Sequence, residues 1–387
     1  MLVAVAGGNL QGVEAAYLSR KAGWDVLVMD RKPTVPAKGL CQAFTQLDVT
    51  SEKDLTHALS GVDLVIPALE NDAALACLER VTRNNGIPFA FDPAAYAISS
   101  SKIKSEQLFK DTGIPTPARW PKCKFPVVAK PDRGSGSQGV RIYNNITDLQ
   151  DSLNPPSPEW LIQEFIPGPS YSLEVIGVPG SYTTPQVTEL SIDAQYDCKR
   201  VTAPSNLADT LISEFEALSL ALADALNLKG IMDVEVILHE DELKVIEIDA
   251  RLPSQTPTAV YWSTGLNMVQ LLGNLFVNRQ THIQSESSQE FGVIFEHVRV
   301  ASNQLEIAGE HIMSGAEALH IVRDFFGADE AITNYAAGRD DWIATLIVTD
   351  KDMEAAWEKR DSVIADITKK YKLQPEAYRD SAPQDST

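Results

Sequence analysis

The stretch that most constrains this chain is GIMDVEVILHEDELKVIEIDAR, residues 230–251. Val and Ile alternate with acids on either side of the charged turn HEDE, the pattern of two half-buried antiparallel strands. Side chains alternate across a strand, so Asp233 and Glu235 share one face of the first strand, and Glu247, Asp249 and Arg251 one face of the second. A three-residue turn over Glu240–Glu242 would set Glu235 opposite Glu247 and Asp233 opposite Asp249. Like charges directly opposed are destabilising, so a patch of four carboxylates calls for cations. Oxygen ligands without His or Cys suit Mg²⁺ or Mn²⁺. The plainer alternative is a solvated polar face on an antiparallel sheet.

A second constraint lies upstream in VVAKPDRGSGSQGV: a strand delivers Lys130, and Gly134, Gly136 and Gly139 follow. Small residues leave backbone N–H groups free to wrap an anion. The lysine precedes the glycines and no Gly-Lys-Ser/Thr follows, which excludes a Walker A loop. The alternative is a flexible hairpin turn. Before it, Ser99–Ser101 can cap a helix over Lys102–Lys110 that Gly113 ends. Lys102 and Lys104 then sit in a first turn, where the helix dipole disfavours cations.

The N-terminal stretch reads as a nucleotide-binding βαβ unit: Leu2–Ala6, a glycine pair, a helix, and Asp25–Met29 ending at Asp30. Gly7 and Gly12 fit a dinucleotide fingerprint, but its middle glycine is replaced by Asn9. Further strands are expected at Ala43–Leu47, Leu64–Pro67 and Phe89–Phe91 with helices between, an open parallel α/β sheet. Later expectations are a helix over Thr210–Leu226, strands at Phe291–Val300 and Trp342–Val348, a final helix over Asp352–Lys370, a polar loop at QSESSQEF and a disordered tail RDSAPQDST. No apolar run is long enough to span a membrane, and no secretory signal opens the chain. Four scattered cysteines read as reduced thiols of a cytoplasmic protein. Fifty-three acids against thirty-three bases argue against a nucleic-acid partner.

The order of lysine helix, Gly-Ile-Pro-Thr-Pro, strand-Lys-Pro with glycine loop, Gln-Glu-Phe-Ile-Pro-Gly and paired acidic strands resembles the ATP-grasp superfamily of carboxylate–amine ligases. The resemblance covers roughly residues 1–280. It implies an ATP-grasp fold of α/β and α+β character, with a Rossmann-like pre-ATP-grasp domain at 1–92, a small lobe at 93–168, a large mixed α/β lobe at 169–379 and a tail at 380–387. It also implies ATP and Mg²⁺ as cofactors, Mn²⁺ being an alternative. Lys102, with Lys104 as second candidate, and Lys130 would grip phosphates under the loop Arg133, Gly134, Ser135, Gly136, Ser137, Gln138 and Gly139. Gln163, Glu164, Phe165 and Ile166 would form the adenine hinge; Ser170 stands where related peptide ligases carry a ribose-binding acid.

Glu235, Glu247 and Asp249 fall on metal positions, and Arg251 on the arginine that stabilises an acyl phosphate. Lys130 and Arg251 are thus the catalytic candidates. Substrate candidates are Leu10, Gln11, Gly12, Glu70, Asp72, Ser170, Tyr171, Glu174, Asp233, Arg251 and Ser254, an acidic set suited to ammonium groups. Over its whole length the chain is similar to the pyrrolysine-biosynthesis branch, which implies 3-methyl-D-ornithine and L-lysine as small-molecule substrates. A second nucleotide would fall on Arg31, Asp48, Val49 and Thr50. An NAD-dependent dehydrogenase and a non-catalytic sensor are the rival readings. The oligomeric state is left open.

Overall fold

The structure is a computed structural model that describes residues 1–134, 136–153, 159–280 and 290–373, and the backbone of 378–380. Ser135, residues 284–289 of the loop QSESSQEF and residues 381–387 of the tail lie outside the described residues, whereas Arg379 and Asp380, expected to be disordered, pair in a strand with Glu306 and Ile307. The chain forms two compact units, one of Met1–Phe91, Leu190–Ser205 and Leu252–Thr387, the other of Asp92–Glu189 and Asn206–Arg251. Compactness thus does not follow the linear order of the chain.

The first unit begins with a parallel sheet in the order Ala43–Gln46, Asp25–Asp30, Leu2–Ala6, Leu64–Pro67. The strands Asp25–Asp30, Leu2–Ala6 and Leu64–Pro67 are near-continuous apolar runs, as strands covered on both faces require, whereas the edge strand Ala43–Gln46 is partly exposed. Met29, Leu55, Val65, Leu78 and Val81 pack together beneath helices Glu52–Ala58 and Asp72–Asn85. The strand expected at Phe89–Phe91 is reduced to a single parallel bridge between Val65 and Phe89. Pro88 supplies no N–H to a ladder, and Asp92 already caps the next helix through Ala94 and Ala95 N–H groups.

The same unit contains the antiparallel strands Cys198–Ala203, Gly292–Ala301, Trp342–Asp350, Ala328–Thr333 and His320–Phe325, hydrogen-bonded in that order. Helix Met353–Lys370 covers them through Val363, Ile364 and Ile367, which join a core of Ile294, Phe325 and Trp342. Asp352 caps that helix rather than opening it. In the core, Glu296 takes Arg200 and Arg360 together, both guanidiniums lying over the Trp357 ring. Such a charge is retained inside only because its partners are complete.

The second unit holds a three-stranded antiparallel sheet, Arg141–Tyr143, Val127–Pro131 and Trp160–Glu164, and a second sheet in which Glu242–Asp249, Gly230–His239 and Ser170–Val178 lie side by side. Helix Asp209–Leu226 packs Phe215 and Leu222 against Leu173, Val175, Met232 and Val234 of that second sheet.

Helix Thr256–Thr264 of the first unit has no side-chain cap of its own. Glu14, from helix Leu10–Lys21, replaces it by accepting from Thr258 N–H at 2.7 Å. Burial raises the Glu14 carboxyl to about 7, the bonds to Thr258 opposing the shift. A raised folded-state value means stability that is present below the unfolded value and lost as pH climbs through 7. Glu14→Gln keeps an acceptor without the charge. Its melting temperature is expected to exceed wild type at pH 8 by the equivalent of about 3 kcal/mol, the gap closing by pH 4.5. Thermal unfolding across that range checks this.

Candidate active site

The acidic hairpin sets the geometry. Asp233 pairs with Asp249 and Glu235 with Glu247, as expected, but by a different route. The turn has two residues, Glu240 and Asp241, both at positive φ, which joins His239 directly to Glu242. The register then shifts by one at Ile246, a bulge that restores the facing of Glu235 and Glu247. Without the bulge, the two-residue turn would put Glu247 out of line with Glu235. On the other side, Glu174 pairs with Asp233 and Ser172 with Glu235. Three neighbouring strands therefore carry two rows, Glu174–Asp233–Asp249 and Ser172–Glu235–Glu247.

This crowding changes the acids. Burial, followed by the charge of Glu174, drives the Asp233 carboxyl well above the usual range, although Ser172 Oγ donates to it. Glu235 rises to about 8, first by burial and then by Asp233 and Glu247, with Lys130 and Lys102 pulling the other way. The cations are in place. Lys102 Nζ donates to Glu247 Oε1 at 2.9 Å and to Gly134 O at 2.8 Å. Arg251 Nε lies 2.7 Å from Asp249 Oδ2. Burial lowers the Lys130 ammonium from its ordinary value; Glu247 opposes that shift and Lys102 adds to it.

Lys104 goes elsewhere: its Nζ donates to Ala97 O, at the end of helix Pro93–Ser99. It thereby offsets a helix C-terminus. Of the two lysines in the first turn, only Lys102 reaches the acids.

Asp132, which the sequence did not single out, fixes this arrangement. Its Oδ1 accepts from Ser101 Oγ at 2.7 Å and Ile103 N–H at 3.0 Å, and its carbonyl accepts from Lys102 N–H. It ties the start of the glycine loop to the first turn of the lysine helix. The signal was an acid directly after strand-Lys-Pro. Beyond it, Gly134, Gly136, Ser137 and Gly139 all have positive φ. A Cβ on Gly134 or Gly136 would meet nothing within 4 Å, so backbone conformation, not crowding, selects glycine there.

At the hinge, Gln163 is buried and its Nε2 donates to Glu106. Glu164 and Phe165 N–H groups donate to Ala118 O and Pro126 O. Among the described residues the N–H of Ile166 has no such acceptor. Tyr171 is a core residue with its hydroxyl on Asn206, whereas Ser170 opens its strand half-buried.

The remaining candidates belong to the first unit. Gly7 and Gly12 are explained by close packing: a Cβ on Gly7 would lie 2.2 Å from Ala68 O, and one on Gly12 2.2 Å from Gly7 O. Asp30, the ribose acid of the dinucleotide reading, instead accepts from Gly8 N–H at 2.9 Å and Lys32 N–H at 2.8 Å. Glu70 and Asp72 are exposed beside Asn71, which caps helix Asp72–Asn85. Leu10 and Gln11 are half-buried at the start of their helix. Arg31 and Thr50 are exposed, Val49 packs in the core, and Asp48 closes a local turn on Thr50.

Among the described residues, no three carboxylates, His or Cys converge closely enough to hold a metal ion as they stand. Glu247 is turned to Lys102 and Asp249 to Arg251. The donor set itself fits a hard divalent cation, since it is all oxygen and the opposed acids carry charge to be neutralised. No helix among the described residues is long and apolar enough to cross a membrane.

The ATP-grasp domain family matches residues 99–255, the stretch that carries the glycine loop, the two lysines and the opposed acids. The chain belongs to the ATP-grasp ligase family that includes the 3-methyl-D-ornithine–L-lysine ligases of Methanosarcina. It is 36% identical to that ligase of Methanosarcina acetivorans, over 92% of this chain and 95% of the relative. With the Methanosarcina mazei ligase it shares 35% identity over 95% and 96%. The fold is also that of N5-carboxyaminoimidazole ribonucleotide synthetase from Thermotoga maritima (TM-score 0.65, 20% identity, 94% of this chain and 98% of that one). The biotin carboxylase domain of Hydrogenobacter thermophilus 2-oxoglutarate carboxylase gives a TM-score of 0.73 at 15% identity, covering 94% and 89%.

Two predictions follow from this geometry. Asp132→Ala removes the acceptor that aligns Lys102, and ADP formation is expected to fall roughly tenfold or more; Asp132→Asn, which keeps an acceptor, recovers most of it. Steady-state ADP release measures both. A divalent ion bound at Glu235 would displace a proton from it below pH 8. Mn²⁺ binding to the nucleotide-loaded chain, followed by electron paramagnetic resonance, is expected to strengthen by roughly tenfold per pH unit from pH 6 to 8 and then level off. Glu235→Gln flattens that slope.

Proposed function

We propose that this chain joins the carboxylate of 3-methyl-D-ornithine, or D-ornithine, to the ε-amine of L-lysine in pyrrolysine biosynthesis, with ATP converted to ADP and phosphate. The observation that carries the chemistry is the meeting of Lys102 and Lys130 with the opposed Glu235 and Glu247. Cations and acids in that arrangement suit a phosphate chain accompanied by Mg²⁺, with Mn²⁺ as a substitute. The near-full-length similarity to the Methanosarcina ligases supports the choice of substrates.

In this reading the small lobe spans 93–168 and the large lobe 169–379. ATP lies with its adenine edge on Ile166 N–H and its phosphates under the loop Arg133–Gly139. Glu235, Glu247 and Asp249 hold the divalent ion, which neutralises charge on the transferring phosphoryl group when bound. Binding there requires Lys102 and Arg251 to exchange their carboxylate partners for phosphate oxygens, so the two ion pairs keep both side chains extended toward the place they serve.

The substrate carboxylate attacks the γ-phosphorus and ADP leaves, giving an acyl phosphate. Lys102 and Lys130 spread the developing negative charge. The lysine ε-amine, in its neutral form, then attacks the acyl carbon. Phosphate departs, the nitrogen loses its proton, and an isopeptide bond remains. Arg251 stabilises the tetrahedral oxyanion and the leaving phosphate. Holding both amino acids together makes the second step effectively unimolecular and limits loss of the acyl phosphate to water. Glu174 and Asp233 face the ammonium groups of the carboxylate donor, with Ser170 at the entry of that strand. Leu10, Gln11, Gly12, Glu70 and Asp72 serve the lysine, at the C-terminal edge of the parallel sheet, where such folds bind ligands.

The experiment is ADP release with Mg·ATP, D-ornithine and L-lysine, each omitted in turn, with mass spectrometry of the product. ADP formation dependent on both amino acids, and a product mass equal to their sum less water, is the expected result. Turnover with D-ornithine alone would mean acyl phosphate lost to water and a different amine partner. Absence of turnover in every combination, with ATP still bound, would overturn the ligase reading.

A further inference from the structure

The chain leaves its second acidic strand by a tight turn. Arg251 N–H donates to Asp249 O at 2.9 Å, which closes a three-residue γ-turn centred on Ala250. Ala250 does not have a positive φ, so this is the inverse form, common at strand ends. Asp249 and Arg251 flank the turn, and their side chains meet at 2.7 Å. Whatever fixes the backbone of Ala250 therefore fixes the directions of both.

Ala250 is buried, and the ladder between the two acidic strands ends at Asp249. The Ala250 N–H is satisfied from another element. Ser99, the last residue of helix Pro93–Ser99, accepts it through Oγ at 2.9 Å, from 151 residues away in the chain. Ser99 is itself 4% exposed, so water does not compete for the bond. A buried N–H without an acceptor is costly, and the turn would have to move to recover one.

The helix end that carries Ser99 is held by the lysine helix. Lys104 Nζ donates to Ala97 O at 3.0 Å, and Ser105 Oγ lies 3.4 Å from Ile98 O and 3.5 Å from Ser99 O. A little further on, Ser101 Oγ reaches Asp132 and Lys102 Nζ reaches Glu247. The short segment Ser99–Lys102 thus touches the start of the glycine loop, the middle of the acidic strand and its end.

We infer that Ser99 is a positioning residue for Asp249 and Arg251: by accepting the Ala250 N–H, it holds the turn that aims both side chains. The inference rests on the ligase reading above, which gives Asp249 to the divalent ion and Arg251 to the acyl phosphate. In that reading phosphoryl transfer leans on Lys102 and Lys130, whereas amine attack leans on Arg251. Loosening the turn slows the second step more than the first. Water then attacks the waiting acyl phosphate, returning the carboxylate and releasing phosphate.

The test compares the full wild-type chain with Ser99→Ala, which deletes only the acceptor. A second variant, Ser105→Ala, loosens the same helix end but leaves Ser99 Oγ on Ala250. Isopeptide formed per ADP released is measured with Mg·ATP, D-ornithine and L-lysine, and Mn²⁺ binding to the nucleotide-loaded chain is followed by electron paramagnetic resonance. For Ser99→Ala, isopeptide formation is expected to slow roughly tenfold and the yield per ADP to fall roughly threefold or more, with the KM for ATP within about twofold. Its Mn²⁺ binding is expected to weaken roughly tenfold, as when a group that orients a metal ligand is removed. Ser105→Ala is expected to melt at a lower temperature with wild-type yield and Mn²⁺ binding. Wild-type yield and Mn²⁺ binding in Ser99→Ala would overturn the inference. Equal losses of both in Ser105→Ala would overturn it as well, reducing Ser99 to a support of its helix. A wild-type chain that makes no isopeptide from these amino acids would sink the ligase reading separately, and the Mn²⁺ comparison would still decide for or against Ser99.

Discussion

Carboxylates aligned across neighbouring strands repel, and the second unit is organised around that repulsion. Glu174, Asp233 and Asp249 stand in one row, with Glu235 and Glu247 beside them. A sheet would ordinarily place Thr, Val or charges of opposite sign at such positions. Here the cost is offset from other elements: Lys102 from a helix, Lys130 from the other sheet, and Arg251 from the end of the acidic strand itself. The arrangement holds charge in readiness for a polyanion and its cation. It also explains Asp132, an acid that contributes nothing to the patch yet fixes the turn from which Lys102 extends.

The hairpin illustrates what a sequence conveys and what it conceals. Alternation of Asp233, Glu235, Glu247 and Asp249 was enough to foresee which acids face each other, because period-two patterning admits few registers. The path to that register was not legible. A two-residue turn at positive φ and a bulge at Ile246 each displace the pairing by one residue, and the displacements cancel. Bulges carry little local signature when the extra residue is another β-branched apolar one. Lys104 was ambiguous for a related reason. Helical spacing puts Lys102 and Lys104 in one turn but about 200° apart around the axis, and only the position of the preceding helix decides which reaches the acids.

The dinucleotide-like opening shows how far chain packing alone can account for such a signal. In a βαβ unit, glycines at the first turn can be required by the ligand or by the chain. Here the chain accounts for them. Gly7 lets the turn pass against Ala68, Gly12 brings the helix onto Gly7, and a Cβ on Gly8 would lie 2.2 Å from the Val35 side chain. Asp30 completes the turn by accepting from Gly8 N–H through its Oδ2. Packing of a helix onto a parallel sheet therefore selects much the same residues as pyrophosphate binding does. What separates the two cases is the partner of the acid, and a sequence does not contain that partner.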